Sequence, residues 1–209
     1  MLGRLAALLL VLAPLCHASD SYTETREQSW DFTAGGRVEL HLSSGDLKVS
    51  PGDDNHISVR YRMQSDHADF ISKVKTRFEV TPSNASLRVS GPHNGSIDVE
   101  LKVPARSSLY LRVFAGDIVV GPIEGDKNVE THAGDILIDL PEHFDVGAVD
   151  ASTHAGDVTA PWGKPHGWIG NSLKYAGGGK YNIHAHTFAG DIDLKENEGV
   201  EARVCPCDD

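Results

Sequence analysis

Ser108 to Leu140 reads SLYLRVFAGDIVVGPIEGDKNVETHAGDILIDL. Before Gly116 the apolar residues fall on odd numbers (Leu109, Leu111, Val113, Ala115), and after it they fall on even ones (Ile118, Val120). Alternation of this kind marks a strand with one face buried, and here it slips by one residue at Gly116-Asp117. The slip recurs at Gly134-Asp135, where Val129, Thr131 and Ala133 give way to Ile136, Ile138 and Leu140. A slip tied to one motif predicts a bend or bulge there, with glycine supplying a conformation that a side chain would forbid.

The motif extends along the chain. Ala-Gly-Asp followed by Ile or Val occurs at Ala115-Gly116-Asp117-Ile118, Ala133-Gly134-Asp135-Ile136, Ala155-Gly156-Asp157-Val158 and Ala189-Gly190-Asp191-Ile192, with a looser copy at Ser44-Gly45-Asp46-Leu47. Between Gly156 and Gly190 lies the Pro- and Gly-rich stretch Pro161 to Lys180, read either as an inserted loop or as a degenerate repeat around Ala176-Gly177-Gly178. A unit of about 20 residues made of two short strands and a Gly-Asp corner predicts an all-β, β-solenoid-like stack or a set of equivalent hairpins. Ahead of it, alternating runs at Val38 to Val49, Ile57 to Met63, Phe78 to Val80, Leu87 to Val89 and Ile97 to Val103 predict an antiparallel β region. Only Asp66 to Lys75 suits a short helix, with Phe70, Ile71 and Val74 on one side.

The ends of the chain bear on compartment. Met1 to Ala18 has one cation (Arg4), an apolar run from Leu5 to Leu15, and Cys16 and Ala18 at the positions before a cleavage point, the pattern of an export signal. The run is too short to span a bilayer, so no membrane span is expected after cleavage. Acylation of Cys16 is the competing reading. Cys205 and Cys207 form a terminal Cys-Pro-Cys tail, expected to be peripheral. The organisation expected is therefore a signal at 1–18, an antiparallel region at 19–104, the Gly-Asp repeat at 105–204, continuous with it, and a tail at 205–209. With 30 acidic against 19 basic residues and a formal charge of -11, the chain is not expected to bind nucleic acid.

The progression Ser96-Ile97-Asp98-Val99-Glu100-Leu101-Lys102-Val103-Pro104, then Ser108-Leu109-Tyr110-Leu111-Arg112-Val113, then the Gly-Asp copies, resembles the bacterial putative-adhesin family of exported β-strand-repeat domains. The match covers roughly Trp30 to Leu194. It implies an extracytoplasmic β-solenoid-like fold without known enzymatic activity. The Trp162 to Tyr181 insertion departs from the pattern, and no wall anchor or barrel is expected to follow the repeat.

Candidate residues come from columns that the repeat creates. One residue after each motif glycine stand Asp46, Asp117, Asp135, Asp157 and Asp191, expected to accept backbone N–H groups in their own corners rather than to bind Ca²⁺, which takes six to eight oxygens. Two residues before the glycines of the four Ala-Gly-Asp copies stand Phe114, His132, His154 and Phe188 on an outward face. Equivalent positions on adjacent strands lie about 4.8 Å apart, which would set His132 beside His154. With His184 or His186 these are the candidate metal ligands, although no bound metal or other cofactor is expected. Trp162, Trp168, Tyr175 and Tyr181 are candidates for ligand contact or for capping an open end. No catalytic motif stands out, so the chain is read as a non-catalytic envelope module with an unidentified envelope or surface partner; a periplasmic metal-binding protein using the His132/His154 column is the alternative.

Overall fold

The computed structural model of the chain describes residues 21–167 and 170–196. The expected leader, with Cys16, and Trp168, Cys205 and Cys207 lie outside the described residues. In chain order the elements are β1 (Tyr22–Asp31), β2 (Arg37–Leu42), β3 (Leu47–Gly52), β4 (His56–Ser65), the one-turn helix α1 (Phe70–Lys73), β5 (Lys75–Thr81), β6 (Asn84–Ser90) and β7 (Ser96–Pro104). They continue as β8 (Ser108–Ala115), β9 (Ile118–Val120), β10 (Lys127–Ala133), β11 (Ile136–Leu140), β12 (Val146–Ala155), β13 (Val158–Thr159), β14 (Asn171–Ala176), β15 (Tyr181–Ala189) and β16 (Ile192–Glu196).

These strands form two open, mixed, eight-stranded sheets. The first has the order β1-β4-β7-β3-β9-β11-β16-β13 and the second β14-β12-β15-β10-β8-β2-β6-β5. At β2–β3, β8–β9, β10–β11, β12–β13 and β15–β16 the chain leaves the second sheet, turns at a Gly-Asp corner and enters the first. The one-residue slip now has a cause. Once the chain has changed sheets, the opposite parity faces the interior, and Leu109, Leu111, Val113, Ile118 and Val120 all remain buried. Each fully buried Val, Leu or Ile contributes about 1.5–3 kcal/mol of favourable transfer, so the slip preserves most of the driving force for folding.

The corners demand glycine. At Gly134 φ is +138°, and a Cβ would stand 2.6 Å from the carbonyl carbon of Gly116 and overlap its oxygen. Gly190 meets Gly134, and Gly156 meets Gly190, in the same way. The corners therefore stack in the order Gly45, Gly116, Gly134, Gly190, Gly156.

That order corrects two expectations. A β-solenoid winds in chain order, whereas here β15–β16 lies between β10–β11 and β12–β13, so the molecule is a pair of facing sheets rather than a solenoid. The reason lies in the expected insertion, which contains β14: this strand pairs antiparallel with β12, occupies one of its edges and leaves only the other for β15. The N-terminal region is also not uniformly antiparallel. β4 is antiparallel to β1 and β7, and β5 to β6, but β2 runs parallel to β6 and β8, and β3 to β7 and β9. The β2–β3 and β6–β7 arches cross between sheets like the later ones and so must pair in the same sense.

Both open ends are closed by aromatic groups. At one, Phe78 meets Trp30 and Tyr61 edge to face, at 5.6 and 5.9 Å between ring centroids, and α1 buries Phe70. At the other, Trp162 packs on the core and stacks with Tyr175 at 5.9 Å.

Candidate functional site

The outer face of the second sheet collects most of the residues singled out by the repeat. Along β8, β10, β15 and β12 the outward column is Phe114, His132, Phe188 and His154, and the four rings stack nearly parallel. Centroids are 5.2 Å apart for Phe114–His132, 5.1 Å for His132–Phe188 and 4.9 Å for Phe188–His154, with interplanar angles of 13–14°. His132 and His154 are thus not neighbours: Phe188 stands between them because β15 does. Phe114 and Phe188 are 57% and 47% exposed, the two most exposed large apolar side chains among the described residues.

The next row inward from the corner holds Arg88, His41, Arg112, Glu130, His186 and Ser152. Arg112 is paired with Glu130 (2.7 Å) and His41 with Glu39 (2.8 Å). His186 Nδ1 lies 3.1 Å from the hydroxyl and the carbonyl oxygen of Ser152, an orientation that ties it to β12 and not to another imidazole. His184 sits one row further on, between Asn128 and Asp150. Among the described residues no group of three or more His, Cys, Asp or Glu side chains is placed to hold a metal ion.

The aspartates form a different array from the one expected. Four of the five carboxylates accept a hydrogen bond not in their own corner but from the adjacent one. Asp117 N–H donates to Asp46 Oδ1 (3.0 Å), Asp135 N–H to Asp117 (2.8 Å), Asp191 N–H to Asp135 (2.8 Å) and Asp157 N–H to Asp191 (2.8 Å). Asn171 ends the series by donating its side-chain amide to Asp157 Oδ1 (2.8 Å) and to the Gly156 carbonyl (2.9 Å). Beneath them the buried hydroxyls of Thr131, Thr187 and Thr153 donate to the carbonyls of Gly116, Gly134 and Gly190. Backbone, carboxylate and hydroxyl groups together link consecutive corners.

A further Gly-Asp pair went unread in the sequence because Glu124 precedes it and Lys127 follows. Gly125 has φ +130°, and Asp126 Oδ1 accepts the N–H of Asn182 (2.9 Å). Lys127 is buried, donates from Nζ to the carbonyls of Ile123 (2.6 Å) and Gly125 (3.1 Å), and lies 4.2 Å from the centroid of Phe144. Burial lowers its pKa to about 7, against the opposing pull of Asp126 and Glu124. Tyr181 stacks on Phe144 at 5.6 Å, on the same side of the molecule. Of the candidate aromatics, Trp162 and Tyr175 pair with each other at one end of the sheets, and Tyr181 belongs to this second cluster.

Comparison with known proteins adds the following. No protein-family model matches the chain, and no curated protein does. Among solved structures it is similar to a putative cell adhesion protein from Clostridium sporogenes, at 16% identity over 83% of this chain and 100% of that one, with a TM-score of 0.48. It is also similar to a putative adhesin from Bacteroides fragilis, at 9% identity over 83% and 97% with a TM-score of 0.25, and to a putative lipid binding protein from Parabacteroides distasonis, at 10% over 84% and 97% with a TM-score of 0.25. Likeness at this level bears on neither ligand nor partner, and the surface chemistry of the chain has to define its role.

Proposed function

We propose that the chain is a non-catalytic, exported protein of the cell envelope, an adhesin-like interaction or scaffold module that engages a surface partner through the outer face of its second sheet. The observation behind this reading is the exposed Phe114–His132–Phe188–His154 ladder. Apolar rings left in water forfeit the stabilisation that burial would bring, and a rigid, exposed row of them flanked by polar groups is the composition of a contact surface. The ladder rests on strands whose backbone and inward side chains are fully engaged, so the face is pre-organised and binding requires little further ordering. The leader-like residues 1–18 support export, with a mature chain beginning at Ser19. Segments 19–104 and 105–204 act as one unit, since each supplies strands to both sheets.

The test is saturable binding of the labelled, purified chain to intact cells or isolated envelopes. Wild type and Lys48→Gln, a change on the outer face of the first sheet, should bind alike, and Phe188→Asp should lose at least nine-tenths of the signal while keeping its circular dichroism spectrum. A folded Phe188→Asp variant that binds like wild type would refute the assignment of this face.

A further inference from the structure

The ring ladder stops abruptly at Phe114. Leu42 lies opposite both Val113 and Val89, so the next two places in the ladder's row belong to Ser43 and Ser90. One face of the Phe114 ring is covered by His132, while the other looks across these serines into an open groove of about 560 Å³. Arg88, His41 and Arg112 line the same groove from the adjacent row. Arg112 is occupied by Glu130 and His41 by Glu39. Arg88 lies between His41 and Arg77 in the sheet and has no carboxylate partner among the described residues.

A guanidinium without a carboxylate partner, lining the same groove as the open face of an aromatic ring, is complementary to a ring that bears a carboxylate: the ring stacks on the phenyl group and the guanidinium grips the carboxylate across the groove with two parallel hydrogen bonds. The rest of the groove mixes the hydroxyls of Ser43 and Ser90, two imidazoles and Glu130 with apolar surface that includes Phe188; the polar groups suit the hydroxyls of a sugar and the apolar surface suits the faces of its rings. The groove exceeds the size of a single six-membered ring and runs along the open sheet face, which suits a chain of rings.

We propose that this groove binds an acidic glycan, with the pyranose ring of a uronic-acid unit stacked on Phe114 in the place that the ladder leaves vacant and its carboxylate held by Arg88. This rests on the reading of the outer face as the interaction surface and names the ligand class for one end of it. Because the protein as a whole is acidic, attraction comes from Arg88 and its neighbours alone, and binding weakens as salt screens them.

The experiment is isothermal titration at low ionic strength with a defined oligogalacturonate, a neutral malto-oligosaccharide of equal length, and benzoate. Oligogalacturonate should bind wild type and Lys48→Gln equally, with no heat from the neutral sugar. Arg88→Gln and Phe114→Ala should weaken binding at least tenfold. Ser43→Phe, which fills the vacant place with a ring, should abolish it while leaving the melting temperature within a few degrees, although it gives up the bond from Gly91 N–H to Ser43 Oγ. Equal binding of the neutral sugar, or undiminished binding by Arg88→Gln or Ser43→Phe, would overturn the proposal. Benzoate binding as tightly as the oligosaccharide would replace the glycan by an aromatic acid and overturn it too. If those results came with intact cell binding that Phe188→Asp still abolished, only the ligand class would fall and the interaction face would stand.

Discussion

Lys127 is a buried amine whose behaviour pH can reveal. Its pKa drops from 10.5 to about 7 on folding because burial disfavours the ammonium. Between those values the unfolded chain holds the proton more firmly than the folded one, so stability rises with pH across that window, by on the order of 1.4 kcal/mol for each unit in its middle. Below about pH 7 both states carry the proton and the cost is constant. Urea unfolding at pH 6.5, 8 and 9.5 should therefore show wild type gaining stability relative to Lys127→Met as pH rises. At pH 9.5 the variant should be the less stable by about 1–3 kcal/mol, having left the Ile123 and Gly125 carbonyls without their donor. Parallel pH profiles for the two proteins would show that the amine titrates as if in water.

Between neighbouring strands the Gly-Asp corners act as a cross-linking ladder, and its order can be tested. Asp135 is an interior rung whose removal leaves Asp191 N–H without its acceptor, whereas Asp157 is the last rung and receives only the Asn171 amide, which also bonds the Gly156 carbonyl. Asp135→Ala should cost about 1 kcal/mol, since the carboxylate is exposed, and Asp157→Ala less. Thermal melts with chelator and with millimolar Ca²⁺ should match for wild type and both variants. A chelator-induced fall of several degrees that either substitution removes would instead make the row a cation site, because a ligand specific to the native state stabilises it by mass action.

The placement of β15–β16 governs how the whole chain tolerates truncation. In a solenoid the last repeat is terminal, and its loss leaves the remainder folded. Here a chain ending at Lys180 would lack an inner arch, exposing the parallel edges of β10 and β12 and uncovering Val129, Ile138 and Ala151. Such a chain should lose its cooperative unfolding transition and aggregate. A soluble truncated chain that still melted in one sharp transition would mean that the arches stack independently.

Much of this was legible in local pattern. The strands around Gly45, Gly116, Gly134 and Gly156 and their buried residues follow from a period of two and a recurrent slip, and the one-turn helix at Phe70 from apolar residues at helical spacing, properties that each segment carries alone. β1 escaped notice because, as an exposed edge strand, its alternation runs between polar residues such as Glu24, Arg26 and Thr25 and lacks an apolar side. β14 was hidden in a Gly- and Pro-rich stretch that reads as loop. The candidate site was half visible: the column Phe114, His132, Phe188, His154 could be counted off, but not its order across the sheet.

What the amino-acid sequence alone determined is which residues turn, which face inward and that the arches at Gly45, Gly116, Gly134, Gly156 and Gly190 share one kind of corner. What tertiary structure decided is which arch lies beside which. Corners built alike present interchangeable edges, so local pattern assigns no partner; the choice falls to long-range competition for those edges. β14, folding back on β12, took one edge and sent β15 to the other. That single outcome put Phe188 between the two histidines and turned a candidate metal pair into a ring ladder.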